Sequence, residues 1–107
     1  MARFMISYVG GEHPASPEEG KRHFEKYMAW LSGLGDAATS PANPLGNTHV
    51  IGPDGDISAG GLTSMSGFTI VEAESMEAAL ALAADCPFLD IRGSLEVSEL
   101  MPMPGAG

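Results

Sequence analysis

The chain is short of basic residues: five Lys and Arg stand against fourteen Asp and Glu, for a formal net charge of −9 at pH 7. That balance argues against the phosphate-neutralising surface of a nucleic-acid binder and against attraction to an anionic membrane. An acidic surface can attract cationic partners or serve solubility alone. The single cysteine, Cys86, excludes an internal disulfide and suits a reducing compartment. No apolar run is long enough to cross a bilayer; the strongest, Met76 to Ala84, is alanine-rich and short. Met1–Val9 lacks the apolar core and cleavage site of a signal peptide, so the expected localisation is cytoplasmic. The 107 residues suit one core, expected over residues 1–101 with a flexible Pro/Gly tail over 102–107.

What is present is hydrophobic patterning. Residues Ala2–Val9 alternate as a strand does, with Phe4, Ile6 and Tyr8 on an apolar face and Arg3, Met5, Ser7 and Val9 on a mixed one. Ser16, Pro17 and Glu19 form a capping box with proline at the first helical position. In the helix that follows, Phe24, Tyr27, Met28 and Leu31 recur as a buried stripe, and Gly33 and Gly35 mark its exit. Glu18 precedes Arg22 and Glu19 precedes His23 by four residues, each pair favourable by about 0.2–0.5 kcal/mol. Asp36 to Asn47 reads as a loop and Thr48–Ile51 as a short strand. Pro53-Asp54-Gly55 is a tight turn, and Ile57–Ala59 is a weaker returning strand. Gly67–Ala73 alternates again, with Phe68 and Ile70 opposed to Thr69, Val71 and Ala73. Ser75 caps a second helix, Met76–Ala84, with Met76, Ala79, Leu80 and Ala83 as its core stripe. Pro87 stops that helix near Asp85. A last strand, Ser94–Leu100, buries Leu95 and Val97.

The order β-α-β(β)-β-α-β predicts an α+β, ferredoxin-like domain, an antiparallel sheet with both helices on one face. The other face, expected to carry Val9, Met5, Val71 and Thr69 or their alternates in the inverted register, would be left in water. A second copy packed sheet to sheet is the simplest cover, so a homodimer is expected.

The opening Arg3-Phe4-Met5-Ile6-Ser7-Tyr8, the helix segment Tyr27-Met28-Ala29-Trp30-Leu31, Asn43-Pro44-Leu45-Gly46 and Pro53-Asp54-Gly55 resemble YCII-related proteins. So do Ser66-Gly67-Phe68-Thr69-Ile70-Val71-Glu72-Ala73, Cys86-Pro87 and Gly93-Ser94-Leu95-Glu96-Val97, in order along nearly the whole chain. The resemblance implies a ferredoxin-like domain paired into a dimeric α/β barrel. Most members have no assigned activity; relatives sharing the barrel include lactone isomerases, dehydrochlorinases and cofactor-free monooxygenases. The Asp-Gly-Pro-Phe motif of some longer members is absent, its segment reading Leu62-Thr63-Ser64-Met65-Ser66. Other members have a His on the first helix and an Asp before a Pro-Phe step, proposed as a catalytic pair. Here that step reads Cys86-Pro87-Phe88, with Asp85 one place earlier, and His23 is offset by a turn or so.

Candidate chemistry rests on few residues. His23, Tyr27 and Trp30 share one edge of the first helix, which could give a small aromatic ligand a stacking surface and a general base. The alternative is a half-buried flank with His23 paired to Glu19. His49, on the short strand, could exchange a proton inside a barrel or be half-exposed on an edge. Asp85 and Asp90, flanking the Cys86 corner, could orient a histidine or face solvent. Cys86 follows a helix C-terminus, where the dipole opposes thiolate formation, and reads as a packed thiol. No metal-ligand spacing or phosphate cradle is present, so no cofactor or metal is expected. Three functions fit: a cofactor-free enzyme moving a proton through His23 or His49 with Asp85; a non-catalytic module binding a small ligand among apolar residues such as Met28, Trp30 and Phe68; and a structural dimerisation domain.

Overall fold

Alternation of apolar residues makes the first strand. In a computed structural model that describes residues 1–104, β1 runs Ala2–Gly10 with Phe4, Ile6 and Tyr8 buried on one face. Gly10 and Gly11 end it in a left-handed backbone, with φ of 76° and 90°. Helix α1, Pro17–Leu34, starts where the capping box places it. The Ser16 hydroxyl accepts from the Glu19 N–H at 3.2 Å, and the Glu19 carboxylate reaches back to the N–H of Ala15 at 3.1 Å. Such a cap contributes about 1 kcal/mol. Gly35, at φ 56°, closes the helix by donating its N–H to the Ser32 carbonyl.

A 3₁₀ turn, Gly35–Ala37, leads into β2, Ala38–Pro44. The expected loop over Asp36–Asn47 is therefore corrected: most of it is a sheet strand. Two prolines, an asparagine and short side chains hide its strand character, and its ladder is irregular, shifting register between Ala38 and Ser40 and again between Ser40 and Asn43. The short strands β3, His49–Ile51, and β4, Ile57–Ala59, pair only with each other, as a separate hairpin across the Pro53-Asp54-Gly55 turn. Strand β5, Met65–Ala73, returns to the main sheet. Ser75 caps α2, Met76–Ala84, accepting from the Ala78 N–H at 3.1 Å. A 3₁₀ segment, Pro87–Ile91, then feeds β6, Gly93–Glu99.

The four-stranded sheet has the order β2-β5-β1-β6, with antiparallel pairing throughout. Each helix crosses between strands separated by one intervening strand, which is the ferredoxin-like split βαβ arrangement. The register sets Phe4 opposite Val71 and Ile6 opposite both Thr69 and Val97. Those residues, with Ala73, Ala79, Ala83 and Cys86, form the core between sheet and helices. Burying Phe4, Ile6 and Val71 completely contributes about 1.5–3 kcal/mol for each side chain.

Two stripes are narrower than expected. On α2, Ala79 and Ala83 are buried while Met76 and Leu80 are exposed, because alanines bring the helix close and larger side chains are turned outward. On α1, Leu31 is buried and Tyr27, Trp30 and Leu34 pack against the core, whereas Phe24 and Met28 are exposed at 60% and 46%. The open sheet face is also corrected. The register puts Met5, Ser7 and Val9 beside Phe68, Ile70 and Glu72, while Thr69 and Val71 belong to the core.

The radius of gyration, 15.7 Å, exceeds the roughly 13 Å of a compact chain of this length. The β3–β4 hairpin accounts for this in part: Ile51 and Ile57, paired across it, are 71% and 68% exposed. The expected tail over 102–107 lies in part, at 105–107, outside the described residues. Among the described residues no helix is long and apolar enough to cross a membrane.

Candidate functional site

A strand that cannot keep a regular ladder leaves a gap beside the helix it faces. Between the middle of α1 and the β2–β5 edge lies a pocket of about 420 Å³. Helix α1 supplies His23, Phe24, Tyr27 and Met28; β2 supplies Ala42, Asn43 and Pro44; β5 supplies Ser66 and Gly67; Tyr8 and Phe88 close the inner end. The walls are mostly apolar, as small-molecule sites are. Gly67 is required here, since a β-carbon would come within 2.9 Å of the Asn43 carbonyl oxygen.

The aromatic groups hold one another. The rings of Tyr8 and Tyr27 meet edge to face, 5.8 Å apart at 77°, and Phe88 lies 5.3 Å from Tyr8. Their hydroxyls form a chain. Tyr27 donates to the Tyr8 oxygen at 3.0 Å, Tyr8 bonds the Thr69 hydroxyl, and Thr69 donates to the Pro41 carbonyl at 2.6 Å. That carbonyl is free because Pro41 falls in the register shift between Ser40 and Asn43. Asn43 fastens the same irregularity, its amide donating to the Phe68 carbonyl at 3.2 Å and to the Ser40 hydroxyl at 2.9 Å. Burial pushes the Tyr8 hydroxyl well above the ordinary tyrosine range, outweighing the Thr69 bond that lowers it. Tyr8 therefore stays protonated and acts as a hydrogen-bonding group, not a base.

The sequence candidates are dispersed. His23 and Tyr27 line the pocket. Trp30 is turned toward α2, donating its indole N–H to the Leu82 carbonyl at 3.0 Å. Phe68 lies on the open sheet face, opposite Ser7. His49 is on the hairpin, exposed, its Nδ1 3.0 Å from the Asn47 carbonyl, beside a second depression lined also by Leu62 and Met65. Asp85 is the exposed C-terminal cap of α2, and Asp90 is exposed in the following 3₁₀ segment. Among the described residues the ion pair present is Arg92–Glu12, at 3.5 Å between exposed side chains. Glu19 serves the cap of α1.

Cys86 is 2% exposed, and burial pushes its thiol from the ordinary 9.0 up to about 11, against a lowering by the Phe88 backbone N–H. Among the described residues no three His, Cys, Asp or Glu side chains gather as a metal ion would require. Sequence reasoning missed the inner end of the pocket. Tyr8 sits on a strand face that alternation marks only as buried, Thr69 was expected on the open face, and a hydroxyl chain has no spacing signature. Phe24 was readable as apolar but not as a pocket wall, because helical periodicity gives direction without the width of what lies opposite.

The family model of the YCII-related domain matches residues 3–104. The chain therefore belongs to the YCII-related family. Among curated proteins, none matches it.

Proposed function

We propose that this YCII-related protein binds a small, largely apolar organic molecule in the pocket between α1 and the β2–β5 edge, without a cofactor. The observation that carries the reading is the pocket itself: about 420 Å³ of space walled by Phe24, Met28, Pro44 and Phe88, with Tyr8 and Tyr27, whose hydroxyls bond each other, also in its lining. Phe24 and Met28 leave apolar surface exposed at its wall, and a bound molecule would cover that surface. Titration with small phenols and lactones, followed by amide chemical shifts, tests it. Shifts confined to Tyr27, Asn43 and Gly67 are expected. An absence of such shifts for all compounds at millimolar concentration would remove the reading.

Catalysis is the second reading, on the specific ground that His23 lines the same pocket. An imidazole at an apolar wall can take a proton from a bound molecule and return it elsewhere. Asp85 and His49 lie outside that wall, so binding has the stronger support. The His23→Ala variant separates the two: binding retained with any turnover lost favours an enzyme, and binding with no turnover in either form favours a binding module.

The assembly belongs to the same proposal. Met5, Val9, Phe68 and Ile70 form an apolar patch on the sheet face opposite the helices, and a second copy packed sheet to sheet would cover it.

A further inference from the structure

We propose that the pocket selects ligands that donate a hydrogen bond: neutral molecules with an apolar body ending in a phenol, alcohol or N–H group where they meet Tyr8 and Tyr27. The proposal rests on the reading that this pocket holds a small ligand, and it specifies the chemistry of that ligand's polar end.

The direction of the hydroxyl chain decides it. A carbonyl oxygen has no proton, so Thr69, 2.6 Å from the Pro41 carbonyl, must spend its single proton there. Thr69 can then only accept from Tyr8, which commits the one proton that Tyr8 carries. Tyr27, 3.0 Å away, must in turn donate to Tyr8. Every proton in the chain points from the pocket toward β2. Both phenols that line the pocket are left with lone pairs to offer and no proton.

The remaining walls do not reverse this. Phe24, Met28, Pro44 and Phe88 are apolar, and the Asn43 amide protons are engaged by the Phe68 carbonyl and the Ser40 hydroxyl. Ser66 is exposed and His23 half-buried, so both remain open to water. A ligand with an acceptor alone would give up its water and meet lone pairs at the inner end. A donor would be satisfied there. Burial keeps Tyr8 protonated, so the direction persists across ordinary pH.

The test uses three molecules of similar size: 4-ethylphenol as donor, 4-ethylbenzaldehyde as acceptor only, and ethylbenzene with neither, each titrated into the protein by chemical shift. The phenol should bind about 3- to 10-fold more tightly than the aldehyde. In Thr69→Val the anchor of the chain is gone, Tyr8 is free to turn its proton to Tyr27, and the ratio should fall toward one. Equal affinities in the unaltered protein, or a preference for the aldehyde, overturn donor selection while leaving a ligand pocket in place. Failure of all three to shift pocket resonances overturns the pocket reading and this proposal together. A ratio unchanged in a folded Thr69→Val protein overturns the chain as its source. The comparison in the unaltered protein decides the matter should that variant not fold.

Discussion

Phe88 occupies the space that a side chain at position 93 would need. A β-carbon built on Gly93 comes within 2.2 Å of two Phe88 ring carbons and 2.7 Å of its carbonyl oxygen, and one on Gly11 comes within 2.9 Å of the ring's far edge. Two glycines, one after β1 and one at the start of β6, thus hold the ring that closes the pocket. Gly93→Ala should destabilise by about 1–3 kcal/mol, because ring and backbone must both move. Gly33→Ala is the control: nothing lies within 4 Å of the added carbon, and alanine in a helix should gain about 0.5–1 kcal/mol. Urea unfolding midpoints measure both.

The hydroxyl chain makes a graded prediction. Tyr27→Phe removes its outer member and leaves Tyr8 with its donor still bonded to Thr69, so the cost should be about 0.5–1.5 kcal/mol. Thr69→Val removes two hydrogen bonds, to Tyr8 and to the Pro41 carbonyl, and should cost about 1–3 kcal/mol. A Tyr27→Phe cost larger than that of Thr69→Val in chemical denaturation would show that the chain is not anchored as described.

Burial of Cys86 and Tyr8 should make stability decline at alkaline pH. Both are acids whose folded pKa lies above the unfolded one, so above the unfolded value the unfolded chain releases a proton that the fold retains. Their contribution is complete below pH 9 and declines as pH rises, for Cys86 between 9.0 and about 11, with Tyr8 extending the decline above 10. Melting temperatures taken from pH 8 to 11 should fall through that window, and Cys86→Ala should flatten its lower part from a reduced starting value. At pH 8 the native thiol should resist alkylation and become reactive in urea.

The open sheet face predicts its own variant. Ile70→Glu places a charge beside Met5 on that face, away from the core residues Val71 and Phe4. Sedimentation should show a dimer converted to monomer with helical content unchanged. A chain monomeric before the substitution would remove the sheet-to-sheet arrangement.

Much of this was legible in the residues. Period-two alternation over Ala2–Val9 and Gly67–Ala73 located the two central strands, and Ser16 and Ser75 located the helix starts, because a cap is a local interaction between neighbours. Strand β2 was hidden because prolines and a double register shift erase alternation, so a tertiary partner, β5, decides its conformation. The same irregularity hid the pocket's inner end: the Pro41 carbonyl meets Thr69 across 28 residues of sequence. His23 and Tyr27 were found on a helical edge. Trp30, Phe68, His49 and Asp85 lie outside that pocket, since spacing along a chain does not say which surface lies opposite.

Trp30 gives the molecule a built-in optical reporter. It is the one tryptophan in the sequence, its indole N–H is tied to the last turn of α2, and its ring lies 6.0 Å from that of Tyr27. Tyr27 lines the pocket, and its ring neighbours the indole. A change in emission on adding a ligand would then register occupancy, and a red shift would register the two helices parting, without a label attached anywhere on the chain.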